Sequence, residues 1–136
     1  MAHKYLDDIG VTKNQEHWWF DDNQYPDDKR LKKWEKEREI YGFDDRETWD
    51  LQHAFYLWLY ERLMKYVESA SPIVNLEYHK FEFKGKEYTQ IEMIDMMLER
   101  LRFVFSSSYV DFEPESIEKA REIGEIWAIV LPAMWW

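Results

Sequence analysis

Residues 42–67 read GFDDRETWDLQHAFYLWLYERLMKYV, and the fold turns on how this stretch is read. Gly42 suits a backbone with φ > 0 and ends whatever element precedes it. Asp44, Asp45, Thr48 and Asp50 are all N-cap residue types, which predicts a short helical turn over Asp45–Trp49 and then the main helix. From Leu51 onward, Phe55, Trp58, Leu59, Arg62, Leu63, Tyr66 and Val67 recur at the i, i+3/i+4, i+7 spacing of one helical face. Ala54, Tyr56, Leu57 and Tyr60 widen the apolar surface well past that stripe. A helix apolar on most of its circumference is the central helix of a bundle, or it lies in a subunit interface. Glu61, Arg62 and Lys65 interrupt the run, which is also too short to span a membrane.

Toward the N-terminus, Pro26 followed by Asp27-Asp28 predicts a helix over Asp28–Tyr41, with acids in the first turn where the helix dipole favours them. Leu31, Trp34, Arg38 and Tyr41 form one stripe of it. Lys29, Lys32, Lys33 and Lys36 form another. Lys33 and Glu37 are spaced to pair at i,i+4, and Lys32 can reach Glu35, so the basic stripe has an ordinary role as a solvated face. It is also the one dense positive cluster of an acidic chain, and hence the default site for anything that carries phosphate. Residues 1–25 show no sustained period and read as an irregular arm. Trp18-Trp19-Phe20 within it must pack on the helical body or on a neighbouring subunit, or else stack on a ring ligand.

Toward the C-terminus, Ser69-Ala70-Ser71-Pro72 ends the central helix. Phe81-Glu82-Phe83 and Glu87-Tyr88-Thr89 flank Lys84-Gly85-Lys86, short alternating runs that predict a β-hairpin over 81–88. Thr89-Gln90-Ile91-Glu92 fits the capping box and predicts a helix to about Phe105, with Ile91, Ile94, Leu98, Leu101 and Phe105 as its core stripe, widened by Met97 and Val104. Glu113-Pro114-Glu115 opens the last helix. Ile117, Ala120, Ile123, Trp127, Val130 and Leu131 share its predicted buried face, and Pro132 stops it. The expected fold is mainly α: one four-helix bundle-like domain over 26–136, a small β-hairpin between its second and third helices, and the arm ahead of it.

Two segments carry a resemblance. Gly42-Phe43, Asp45-Arg46-Glu47-Thr48-Trp49, Leu51, Trp58, Arg62 and Leu63 make the first, and Thr89-Gln90-Ile91-Glu92-Met93-Ile94 with Met97 and Phe105 the second. Together, over residues 37–106, the chain resembles a family of small proteins encoded by tailed bacteriophages. The resemblance implies a viral source and a helical fold. It carries over no catalytic residue.

Composition bounds the rest. The 136 residues suit one domain. With 8 Trp, 9 Tyr and 8 Phe, the rings overfill a single small core, so some belong at an interface or in a ligand pocket. This points to a homo-oligomer, with the terminal Trp135-Trp136 docked across its interface. A net charge of −10 disfavours wrapping duplex nucleic acid. Absence of Cys removes disulfides and thiolate chemistry, and residues 1–20 lack the apolar core of a signal peptide. His3, His17, His53 and His79 are scattered without metal-ligand spacing. Glu92, Asp95 and Glu99, with Glu61, could imitate a carboxylate site but lack the Glu-x-x-His partner, so a solvated acidic face is the expectation. No G-x-S-x-G and no Gly-rich phosphate loop are present, so neither catalysis nor a cofactor is expected. Arg46 and Trp49 suit a cation–π or stacking site; their simpler role, and the preferred one, is an intramolecular bracket across the Gly42–Leu51 turn. The expected function is a non-catalytic, phage-type binding protein that interferes with a host defence system in the host cytoplasm. It would sequester a small nucleotide signal in an oligomeric pocket, with Lys29, Lys32, Lys33 and Lys36 on the phosphates and Trp18, Trp19 or Tyr25 on the base. Two alternatives stand beside it: an acidic, nucleic-acid-like inhibitor that binds a host defence protein, and a virion or assembly component.

Overall fold

The computed structural model describes residues 3–11, 26–106 and 113–136. Among these the chain forms α1 (Lys4–Asp8), α2 (Leu31–Tyr41), α3 (Leu51–Ala70), β1 (Lys80–Phe83), β2 (Lys86–Thr89), α4 (Gln90–Ser106) and α5 (Pro114–Val130). Short 3-10 turns at Asp45–Thr48 and Leu131–Ala133 precede α3 and follow α5. The structure is thus mainly helical, with one two-stranded antiparallel hairpin between α3 and α4. The arm is not wholly irregular, because Lys4–Asp8 is helical and buries Leu6. The chain separates into two compact units, residues 1–61 and 62–136, and the division falls inside α3.

In the first unit, α1 is tied to α3 by the 3.0 Å contact between His3 Nδ1 and Glu61 Oε2. α2 begins three residues later than Pro26-Asp27-Asp28 suggests. The Asp28 carboxylate accepts the Arg30 N–H at 2.9 Å and its carbonyl accepts the Leu31 N–H at 3.3 Å, so these residues build a turn ahead of the helix. α2 ends at Gly42 in the left-handed region (φ 85°), whose N–H returns to the Arg38 carbonyl at 2.9 Å. Asp44 then caps the 3-10 turn by accepting from Arg46 N, and Asp50 accepts from His53 N at 3.0 Å at the start of α3.

The faces of α3 differ from the expected ones. Tyr56, Leu59, Tyr60, Leu63 and Ala70 are buried, whereas Leu51 is 66% exposed, Trp58 45%, and Phe55 also lies at the surface. Both sets satisfy helical spacing. A helix apolar nearly all round carries no periodicity that singles out one stripe, so tertiary packing makes the choice.

In the second unit, the hairpin pairs Lys80 with Thr89 and Phe83 with Lys86, leaving Lys84-Gly85 as a two-residue turn. Both turn residues have positive φ (50° and 79°), the requirement of the turn that matches strand twist. Thr89 and Glu92 form the predicted capping box reciprocally: Thr89 N–H donates to Glu92 Oε1 at 2.9 Å and Glu92 N–H to Thr89 Oγ1 at 3.2 Å. The bonds from Thr89 hold the Glu92 carboxyl below its usual range. Met93, Ile94, Met97, Leu98 and Leu101 of α4 are buried, as are Ile123, Ile126 and Val130 of α5. The buried face of α5 is rotated from the expected one: Ile126 replaces Trp127, and Ile117 and Leu131 are exposed. Arg100 on α4 clamps Glu122 on α5 through Nε at 2.9 Å and Nη2 at 2.7 Å. Lys84 reaches from the hairpin turn to Glu118 at 2.8 Å.

Leu101→Ala should cost about 2–5 kcal/mol, the range for emptying a filled core position. Trp58→Ala should cost less despite removing a larger side chain, because half of that ring already meets solvent. Urea denaturation of the two variants side by side checks the ordering. Thr89→Ala should cost about 1 kcal/mol through loss of the cap.

Candidate functional site

α2 presents Arg30, Lys33, Trp34, Glu37 and Arg38 at its start and along one side, and the Gly42 turn lays Asp44-Asp45-Arg46 back against them. Trp34 is buried, and its indole Nε1–H donates to Asp45 Oδ1 at 2.7 Å. The Arg46 guanidinium lies over the Trp34 ring, 4.2 Å from its centroid, and Arg30 lies 4.8 Å from the same centroid. Trp49 meets Trp34 edge-on, at 6.1 Å and 71°.

Arg46 is only 1% exposed. Its Nε and Nη2 donate to Asp44 Oδ1 and Oδ2 at 2.9 and 2.6 Å, a bidentate fork, and Arg38 Nη1 adds a third bond to Asp44 Oδ2 at 2.8 Å. Burial pushes the Asp44 carboxyl up, but the bonds from Arg46 and Arg38 outweigh it and leave the group below its usual range. Lys33 Nζ donates to Asp45 Oδ2 at 2.6 Å and lies 3.5 Å from Glu37 Oε1. Glu37 Oε2 accepts the Asp45 N–H at 3.0 Å. The Lys33 bond holds the Asp45 carboxyl down and raises the lysine in return. On the rim, the Arg30 fork brings Asp28 down to about 2.

The nine candidate residues are therefore differently placed. Lys33, Arg46 and Trp49 come together around Trp34 and Asp45. Lys32 and Lys36 stand exposed on α2, while Lys29 sits in the turn before the first helical residue, so the stripe on the helix is three lysines long and not four. Among the described residues Lys29, Lys32 and Lys36 make no ion pair. Arg46 is enclosed and committed to Asp44, which is the bracket role. Trp18, Trp19 and Tyr25 lie outside the described residues. Asp44, Arg38 and the Trp34 ring hold the cluster together, and sequence reasoning missed that partnership because the Asp44-Asp45 pair is equally well explained by helix capping. Among the described residues, no three His, Asp or Glu side chains gather as metal ligands, and no helix is long and apolar enough to cross a membrane.

Arg46→Ala leaves a buried carboxylate with Arg38 alone, so a loss of about 3–5 kcal/mol is expected in denaturant melts. Lys32→Ala and Lys36→Ala should each stay within about 0.5 kcal/mol of the wild type. Asp28, Asp44 and Asp45 all have folded values below the ordinary 3.8. Their contribution is fully present above that value and lost as pH falls through the folded values, so stability should drop between about pH 4 and pH 2. Thermal melts of the wild type across that window check the sign.

No protein-family model, curated protein or solved structure matches the chain.

Proposed function

We propose that this is a non-catalytic binding protein that acts by protein contact through the outward face of α3. The observation that carries the reading is the stripe of Leu51, Phe55 and Trp58, three large apolar side chains at i, i+4 and i+7 that remain at the surface of a folded helix. Phe55 and Trp58 stack on each other at 6.1 Å and 17°, so their rings are already ordered before a partner arrives. Rigid exposed aromatics of this kind are the side chains that dominate binding at protein interfaces. The net charge of −10 selects the partner: a protein with an apolar groove bordered by Lys and Arg. With the resemblance to tailed-phage proteins, the partner is a host protein of bacterial defence, met in the host cytoplasm.

A second reading is sequestration of a small nucleotide, supported by Lys32 and Lys36, exposed and without ion pairs among the described residues. It is the weaker of the two because Lys33 is spent on Asp45 and Arg46 is enclosed, which leaves few cations for phosphate.

Capture from host lysate with the wild type, Phe55→Glu/Trp58→Glu and Lys32→Glu/Lys36→Glu separates the readings. A stoichiometric host protein should be retained by the lysine variant and lost by the aromatic variant, with affinity reduced at least about 30-fold. A partner kept by the aromatic variant overturns the first reading. A co-purified nucleotide lost only with the lysine variant establishes the second. Light scattering on the same variants shows whether a second copy of the chain occupies the face.

A further inference from the structure

We infer that a cleft of about 230 Å³ in the second unit, beside the start of α4, is a binding site for a single planar heterocycle of the nucleobase class. The inference is independent of the α3 face and rests on residues 66–135 alone.

The cleft is built by the loop between α3 and β1. Asn75 Oδ1 accepts the Glu77 N–H at 2.9 Å, which shapes the loop. The carbonyls of Leu76 and His79 then accept the Ile91 and Gln90 N–H groups at 3.0 and 3.2 Å. These bonds pin the loop over the first turn of α4 and use up its leading donors. The site is therefore not an anion-binding helix end.

Gln90 sits at the back of the cleft and is 2% exposed. Its Nε2 donates to the Tyr66 hydroxyl at 3.1 Å and to the Ala133 carbonyl at 3.4 Å, and the Tyr66 hydroxyl donates onward to the Trp135 carbonyl at 3.3 Å. The donors of this amide are thus engaged, whereas its Oε1 accepts no hydrogen bond among the described residues. Gln90 lines the cleft, and an amide oxygen that no protein group meets there is open to a ligand N–H. Asn75 supplies the complementary group: its carbonyl is used within the loop and its amide N–H₂ has no acceptor among the described residues.

Two rings line the same cleft. Tyr78 is 75% exposed and stands edge-on against His79 at 5.2 Å and 85°, and Trp135 has most of its surface open. A flat ring that enters the cleft gains stacking on either side chain whatever its identity, and the amide groups then read its edge. The volume lies below the roughly 300–1,000 Å³ that drug-sized ligands occupy, which limits the occupant to one ring system. No Lys or Arg lines the cleft, so a base or nucleoside is recognised with no selection for phosphate.

The test is titration of the full chain with adenosine, guanosine, cytidine and uridine, read by NMR at the Trp135 indole N–H and the Gln90 side-chain amide. At least one nucleoside should shift both signals saturably. Tyr78→Ala, at an exposed position, and Asn75→Asp, which keeps the Oδ1 that accepts from Glu77 but removes the amide donor, should each weaken that binding, Tyr78→Ala by about tenfold. The Phe55→Glu/Trp58→Glu variant should bind the nucleoside as the wild type does, which keeps this outcome separate from that of the α3 face. Absence of any saturable shift up to millimolar nucleoside overturns the inference, as does binding that Tyr78→Ala leaves unchanged.

Discussion

The first unit depends on one buried ion pair. Taking the Asp44 carboxylate and the Arg46 guanidinium out of water costs several kcal/mol per ion by ordinary desolvation (about that scale for real proteins), and a single contact would not offset it. Here the carboxylate accepts a bidentate fork, a third bond from Arg38 and the Arg46 backbone N–H. The guanidinium gains the π face of Trp34 as well. With every lone pair used, the pair becomes a geometric constraint. It fixes residues 44–46 against α2, and from there only a few residues lead to the Asp50 cap and the first turn of α3. α3 starts there and carries Leu51, Phe55 and Trp58 at its surface.

The second unit is held by different physics. Its core is aliphatic and thioether-rich, supplied by α4 and α5, and the ionic contacts lie nearer the solvent. Lys84, Glu118, Glu122 and Arg100 form a chain of charges from the hairpin turn across α5 to α4. The exposed Lys84–Glu118 pair contributes little and serves to orient the hairpin, the half-buried Arg100–Glu122 fork links α4 to α5, and the apolar contacts supply most of the stability. Two hairpin strands alone are marginal in water, and the buried Phe83 gives this pair its hold on the helices.

The aromatic surplus is the common ground of the two proposed surfaces. Trp34, Tyr56, Tyr60 and Phe83 are enclosed, whereas Tyr41, Phe43, Trp49, Phe55, Trp58, Tyr78, Trp135 and Trp136 remain open. Exposed apolar rings on this scale are a solubility liability unless a partner or ligand uses them, and the strong negative charge offsets the liability while the protein is free. The rings are distributed unequally: α3 carries a contiguous stripe suited to another protein, and the cleft by Gln90 carries two rings around a polar edge, suited to a small ligand.

The features that sequence determined are those whose bonds close within about four residues. The capping box at Thr89 and Glu92, the Gly85-containing hairpin turn (read as Lys84-Gly85-Lys86, one residue longer than the Lys84-Gly85 turn that forms), the left-handed Gly42 and the 3-10 turn after Asp44 were all legible because each donor and acceptor lies within the same short segment. The helices of α4 and α5 were legible too, since one dominant apolar stripe suffices to place an element. What tertiary structure decided are choices among residues that sequence treats as equivalent. α3 offers two apolar stripes of the same period, and α5 offers Ile126 and Trp127 one step apart, so only packing could select the buried set. Arg46 could have faced a ligand, yet the ring of Trp34, twelve residues away, covers it and the Asp44 carboxylate, itself held by Arg38, takes its fork. The cleft joins Tyr66 to Gln90 and to Trp135 across separations of 24 and 69 residues. No local pattern encodes a contact at that range, because its free energy arises only once the intervening chain has folded.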